Sequence, residues 1–341
     1  MILDPTAAEG CGAPLDSRMP CGLARAERSG VLNVGIDIGG TKIAGGIVDP
    51  DGVIVDRRRV PTPADPDDLA DAVAGMVDEL VADRVVHAVG VAAAGFIDAS
   101  RSVILHAPNI DWTDEPLRDE LERRIGRPVT LENDANAAGW GEFRFGAGRE
   151  VSDMVMITLG TGVGGAAIID GELLVGGNGI GGELGHIRFE RGGRPCGCGQ
   201  NGCLEQYASG RALQREAADI AGSGSRGAAL AAARTAEGIV PAAAMEALIS
   251  AGDAGALEAV DRVATALGEA CGGFQAVLDP ALFVIGGGVA DLGEHLLHPV
   301  REAYATALPG YGERPIASFA IATLGNDAGL IGVADLAGGR V

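Results

Sequence analysis

His186, Cys196, Cys198 and Cys203 fall in one short stretch that also holds Gly197, Gly199 and Gly202. One imidazole and three thiolates form the ligand set that tetrahedral Zn²⁺ prefers, and glycines let a short loop wrap four donors around one ion. A complete set of four leaves no position for water, so the expected role is a structural clamp. Free or disulfide-bonded thiols are the alternative, which the spacing suits less well. Glu183 and Glu205 flank the ligands and are the first candidates for what the clamp holds in place.

Three glycine loops and one carboxylate cluster supply the rest of the chemistry. Asp37-Ile38-Gly39-Gly40-Thr41-Lys42 places an acid at a strand end, two glycines in the turn, and a hydroxyl and an ammonium beyond. That arrangement suits phosphate and Mg²⁺, although an ordinary hairpin turn has the same look. Gly160-Thr161-Gly162-Val163-Gly164-Gly165 formally satisfies a dinucleotide fingerprint, which requires a helix to follow; Ala166 to Ile169 and a turn follow instead. The loop is therefore read as a second phosphate cradle inside a hairpin. Gly286-Gly287-Gly288 after a buried strand is the third, where a flat base can lie against bare backbone. Leu131-Glu132-Asn133-Asp134-Ala135-Asn136 closes a short strand with polar side chains that could hold and deprotonate a sugar alcohol. A helix N-cap by Asn133 or Asp134 is the structural alternative.

The elements that must position these residues read as strands at Val31–Asp37, Lys42–Val48 and Val53–Val60, a helix at Asp67–Val81, and a strand at Val85–Val91. A helix from Glu115 to Ile125 and a strand at Val129–Leu131 follow. The order strand, glycine loop, strand, turn, strand then returns at Met154–Leu159, Gly165–Ile169 and Glu172–Val175, which predicts an internal duplication. Helices are expected at Arg211–Ala221 and Ala254–Leu278, and a buried strand at Leu282–Ile285. If Gly182 to Ile187 begins a helix, Glu183 and His186 share one face. Residues 222–256 have helix-forming composition broken by Gly and Pro, with no chemical signal.

The bulk composition narrows the function classes. A chain of 341 residues with 47% hydrophobic content can bury the cores of two lobes. Its 47 acidic against 26 basic residues give a formal charge of −21, which argues against nucleic-acid and anionic-membrane partners. No segment approaches the roughly eighteen apolar residues of a membrane span. Cys11, Cys21 and Cys271 form no compact framework, so a reducing cytoplasm is expected. Residues 1–30 read as a disordered tail, within which Met19 offers a second start of translation.

Taken together, Asp37 to Lys42, Ala93 to Asp98, Pro108-Asn109-Ile110-Asp111-Trp112, Glu132 to Ala138, Thr158 to Ala166, Glu183-Leu184-Gly185-His186 and Cys196 to Gly210 resemble the ROK family of sugar kinases, in the right order over about residues 31 to 341. The likeness is to its actinobacterial type of ATP-dependent glucokinase. It implies an α/β, actin-like ATPase (ribonuclease H-like) fold with two lobes, an interdomain cleft and a structural zinc loop. The lobes would be 31–138, completed by 326–341, and 139–325, the latter holding the zinc loop and nucleotide site. The resemblance further implies phosphorylation of glucose at its 6-hydroxyl with Asp134 as general base. Gly95, Asn109, Asn133, Glu183, His186 and Glu205 join Asp134 around the sugar. Asp37, Gly39, Gly40, Thr41, Lys42, Thr161, Gly162, Gly287 and Gly288 would meet ATP and Mg²⁺, and a homodimer or homotetramer is implied.

Other members of the same family phosphorylate N-acetylglucosamine or N-acetylmannosamine, and the hydroxyl-reading residues look alike in all of them. Polyphosphate is the alternative donor; relatives that use it tend to lack the cysteine cluster. Family repressors carry a winged-helix domain of roughly seventy or more residues ahead of the kinase-like region, about half a small domain. The stretch before Asp37 shows no helix-turn-helix pattern, and the chain is acidic.

Overall fold

A computed structural model describes residues 31–82, 84–107, 112–308, 310 and 315–339. The expectations for residues 1–30 and for Asn109 lie outside this set. β1 (Leu32–Ile38) pairs antiparallel with β2 (Lys42–Val48), and β2 with β3 (Ile54–Pro61). On its other side β1 takes β4 (Val86–Ala93) in parallel. A small ribbon follows: β5 (Phe96–Ile97), β6 (Ile104–Ala107) and β7 (Trp112–Glu115). β8 (Val129–Asn133) then lies parallel to β4 and completes the order β3-β2-β1-β4-β8.

The second sheet repeats the first. β9 (Met154–Leu159), β10 (Val163–Ile169) and β11 (Glu172–Leu173) form the antiparallel meander. β12 (Leu282–Gly286) and β13 (Ser318–Ile321) add in parallel, giving β11-β10-β9-β12-β13. Strand for strand this is the same layout, so the duplication read from the sequence is present in the topology.

Helices cover each sheet where apolar residues repeat at helical spacing. α1 (Pro66–Val81) starts on an Asp65 cap that accepts the Asp67 and Asp68 amides, and it buries Leu69, Val73, Val77 and Leu80 against Val34, Ile36 and Ile43. α2 (Leu117–Ile125) begins later than expected, because Glu115 pairs with Ile104 in β7 and Pro116 intervenes. α3 (Asp134–Phe145) leaves the end of β8. The second core is built from α4 (Glu205–Ala208), α5 (Gly210–Ala221), α6 (Ala228–Ala233), α7 (Ala242–Ser250), α8 (Ala254–Leu278) and α9 (Glu294–Ala307) around Val155, Ile157 and Phe283. α6 and α7 occupy the stretch for which the sequence offered composition alone.

α10 (Ala328–Gly338) joins the two halves. It packs on α3 and on the first sheet, with Ala328, Leu330, Ile331, Val333 and Ala334 all buried. Backbones meet closely there: a Cβ at Gly332 would collide with the Ala137 carbonyl, and one at Gly35 or Gly90 with α10 carbonyls. The helix that would put Glu183 and His186 on one face does not begin at Gly182. Only a single 3₁₀ turn forms, Leu184–His186, so Glu183 lies just outside it. Gly182, with φ of 93°, holds a left-handed conformation that a continuing helix forbids.

Candidate active site

The loop between β11 and α4 is shaped by its own backbone. Cys203 pairs with Arg188 and Asn201 with Pro195, while the Cys196 amide donates to the Gln200 carbonyl at 2.8 Å. Gly199 and Gly202 turn the chain with φ of 86° and 78°. The donor atoms of His186, Cys196, Cys198 and Cys203 consequently lie within 4.8 Å of one another. Cys196 Sγ is 3.7 Å from His186 Nδ1, and Cys198 Sγ is 3.6 Å from Cys203 Sγ. A tetrahedron with metal–sulfur arms of about 2.3 Å has edges of about 3.8 Å, so the donors fit Zn²⁺. No disulfide forms among the described cysteines. Burial pushes the Cys203 thiol up to about 12, with its thiol neighbours adding to the rise.

Glu205 opens α4 directly after this loop. Its carboxylate stands 3.6 Å from Cys196 Sγ and accepts the Val163 amide at 3.2 Å. Glu183 immediately precedes the turn that carries His186, and the ring centroid of Phe96 in the ribbon lies 6.2 Å from that of His186. Burial, then the charges of Asp134 and Glu205, push the Glu183 carboxyl up to about 7. Asp134 and Glu205 are thus the acidic neighbours whose charge Glu183 feels.

Asp134 is the first residue of α3. It is open to the cleft yet lies deep between protein walls, so water reaches the carboxylate without fully solvating it and burial raises its proton affinity. Its Oδ1 accepts the Ala135 amide at 2.9 Å. Asn133 caps the helix, accepting the Ala135 and Asn136 amides at 2.9 and 3.0 Å, while its Nδ2 donates to the Gly95 carbonyl at 3.1 Å. The cap geometry and the polar cluster are thus one arrangement, and the Asn133 amide oxygen is committed to the backbone. Gly95 itself, at φ of 119°, comes within 2.7 Å of the His106 carbonyl by its Cβ position.

The glycine turns lie at the ends of β1, β9 and β12. Gly39, Gly40 and Thr41 make the β1–β2 hairpin turn, with Gly39 N donating to Lys42 O at 3.1 Å and Thr62 Oγ1 to Gly39 O at 2.6 Å. Gly40, Thr41 and Lys42 are exposed. Burial, followed by the charge of Asp134, pushes the Asp37 carboxyl up to about 6 against the opposing Lys42 ammonium. A carboxylate whose negative charge is unfavourable beside Asp134 is a group that a divalent cation such as Mg²⁺ would stabilise. Thr161 and Gly162 turn the second hairpin, and Gly160 O takes the Gly210 amide at 2.9 Å. Gly287, with φ of 81°, lies against Leu159, where a Cβ would be 2.6 Å from its carbonyl. The second and third glycine loops therefore meet.

Two features escaped the sequence reading. Arg101 forms a buried ion pair with Glu132 at 2.8 Å. Glu142 of α3, fully buried, accepts the Ala147 and Leu324 amides at 2.8 and 2.6 Å. A carboxylate inside an otherwise apolar or small-residue stretch was the available signal for both, since such groups are buried only with partners.

Two like sheets of this order, each with a glycine hairpin turned toward a shared group of carboxylates, define the actin-like ATPase fold. The ROK family model matches residues 33–340, and the chain belongs to that family. It is 44% identical over 313 residues to the glucokinase of Streptomyces coelicolor, covering 90% of this chain and 97% of that one. It is 34% identical over 318 residues to the N-acetylmannosamine kinase of Escherichia coli, covering 91% and 99%. A solved ROK family glucokinase from Streptomyces griseus, in complex with glucose and AMPPNP, superposes with a TM-score of 0.80 at 44% identity, covering 90% and 99%.

Proposed function

We propose that the chain is an ATP-dependent glucokinase, transferring the γ-phosphoryl group of ATP to the 6-hydroxyl of glucose. The observation that carries this reading is the nearness of Asp134 to Asp37, the Asp134 carbonyl and the Asp37 carboxylate both standing 3.8 Å from the Cβ position of Gly329, with Glu183 and Asp37 each feeling the Asp134 charge. On this reading a proton acceptor lies near both the residues taken to hold the sugar hydroxyls and the turn taken to meet phosphate. The glucokinase likeness at 44% identity over most of the chain supports it.

In this reading Asp134 takes the 6-hydroxyl proton as the oxygen attacks phosphorus; a carboxylate with raised proton affinity suits that task. Glu183, His186 and Glu205 hold the sugar hydroxyls together with Asn109 and Asn133, the last anchored to Gly95. Gly39, Gly40, Thr41, Lys42, Thr161 and Gly162 meet the phosphates, and Gly287 and Gly288 the adenosine. Phosphoryl transfer needs in-line placement and charge neutralisation above all, which such a cradle provides. Mg²⁺ arriving with ATP would neutralise phosphate charge, with Asp37 the residue to hold it. Zn²⁺ at His186, Cys196, Cys198 and Cys203 would be structural, fixing the wall that carries Glu183 and Glu205.

The same reading takes 31–138 with 326–341 as the small lobe and 139–325 as the large one, in a cytoplasmic homodimer or homotetramer of glycolytic role. No described helix is long and apolar enough to cross a membrane. The test is a coupled assay of glucose, mannose, N-acetylglucosamine and N-acetylmannosamine, each with ATP and with polyphosphate. Highest kcat/KM for glucose with ATP is expected. Preference for an N-acetyl sugar would move the chain to the other branch of its family, and no turnover on any sugar would end the kinase reading.

A further inference from the structure

The Arg101–Glu132 pair is out of water, with side chains only 10% and 3% exposed. Removing both charges from solvent is costly, and well-packed apolar residues of similar volume would serve stability as well or better. Its presence therefore calls for a geometric reason. The backbone at Arg101 adds to this, since its φ of 54° is a left-handed conformation that non-glycine residues seldom adopt and that persists only where surroundings impose it. What imposes it is Asp98, whose carboxylate accepts the Ser102 and Val103 amides at 2.8 and 2.9 Å while its carbonyl takes the Arg101 amide at 2.9 Å. The turn between β5 and β6 is thus built to deliver one guanidinium inward.

Glu132 passes that anchorage on. Its second oxygen accepts the Asn133 amide and Asn136 Nδ2, both at 3.1 Å. These residues bracket Asp134 on either side. Asn136 in turn lies beside Gly182, where a Cβ would come within 3.2 Å of Asn136 Oδ1, next to Glu183. Gly179 abuts Ile97 and Asp98 at the same turn. One buried pair thereby touches the β5–β6 turn, the strand and helix that carry Asp134, and, through Asn136, the segment leading to Glu183.

We propose that Arg101 and Glu132 are positioning residues for phosphoryl transfer, fixing the Asp134 carboxylate relative to the sugar-binding wall without touching substrate. The role rests on the glucokinase reading above. Misplacing a reacting group by about 1 Å costs on the order of 100-fold in rate, so loss of the pair acts on kcat more than on sugar affinity.

Arg101→Met alone leaves a buried unpaired carboxylate and can fail to fold, so the decisive protein is the neutral double variant Arg101→Met/Glu132→Gln, which keeps an acceptor for the Asn133 amide. Expected are a melting temperature close to wild type, a glucose Kd within about threefold, and a kcat lower by about 10- to 100-fold. The acid limb of its pH–rate profile stays in place, because the base is displaced and not replaced. Arg101→Lys, which keeps the charge and loses the planar fork, serves as a second variant and should retain an intermediate kcat. Wild-type kcat in the folded double variant, or a fall in kcat that only mirrors a fall in melting temperature, overturns the positioning role while leaving the kinase reading intact. Absence of glucose phosphorylation by the wild type, measured alongside, removes that reading and the role with it.

Discussion

Glu205 and Val163 are joined by a hydrogen bond of 3.2 Å from the Val163 amide to the Glu205 carboxylate, which ties the wall carrying the metal ligands to the second glycine loop. The bond exists because Gly162 has no side chain, as a Cβ there would collide with Glu205 Oε2. Gly162→Ala should therefore disturb both sides of the reaction at once. KM is expected to rise for glucose and for ATP together, by about tenfold each, the equivalent of roughly 1.4 kcal/mol of lost contact. Steady-state kinetics with each substrate varied in turn will show it; a rise confined to ATP would separate Glu205 from the sugar.

Asp134→Asn keeps the shape of the first turn of α3 and removes the proton acceptor. Turnover should fall by about 100-fold or more, the scale of a lost general base, with glucose binding retained. Wild-type kcat should decline on the acid side at a pH above the ordinary carboxylate range, since burial raises the Asp134 value, and that limb should vanish from the residual activity of the variant. A variant with activity comparable to wild type would take Asp134 out of its role.

Cys198→Ala removes one of four donors that meet within 4.8 Å. Bound zinc measured by atomic emission should drop from near one per chain to near none. The loop ahead of Glu205 would then lose its fixed shape, raising the KM for glucose by about tenfold or more while kcat changes little. An unchanged KM in the metal-free variant would refute the clamp.

Glu183 provides a test in pH. Its carboxyl is raised from an ordinary 4.5 to about 7 by burial and by Asp134 and Glu205. A group held protonated more tightly in the native state contributes stability that is full below its unfolded value and is lost as pH rises through the folded one. Glutamine cannot ionise, so ligand-free Glu183→Gln and wild type should melt together only below the unfolded value of 4.5, at about pH 3.5. By pH 8 the variant should be more stable, by at most about 3 kcal/mol. Parallel melting curves across that range would show that Glu183 ionises freely.

The parts of the molecule legible in the sequence are those whose cause is local. β2 and α8 have the bounds that the residue pattern predicts, because a short apolar run bounded by turn residues and a long helical repeat are both signals local to the chain. The cysteine ligands sit close along the chain, so their spacing alone exposed them. α10 left no such trace: enclosed by α3 on one side and the first sheet on the other, it is apolar nearly all round and shows no amphipathic period. The pairing of Arg101 with Glu132 was hidden for another reason. Glu132 stands out as part of the polar cluster, but its partner Arg101 looks like an ordinary surface charge until the fold brings a turn of the ribbon against the strand that carries Glu132.

Glu142 shows how the same distance in sequence conceals a structural joint. It lies in α3, accepts the Ala147 amide just beyond that helix, and also accepts Leu324 N and Thr323 Oγ1 from the segment entering α10. Gly146 completes the joint, as a Cβ there would collide with the carboxylate. Both connections between the two sheets are therefore held by one buried side chain. Glu142→Ala would leave two part-buried amides without this partner, at a cost of up to about 1–3 kcal/mol each. The melting temperature should fall by about 3–8 °C, as far as such a loss carries in a chain of this size. Thermal unfolding followed by circular dichroism measures it, and an unaltered midpoint would mean that the two connections hold their places without Glu142.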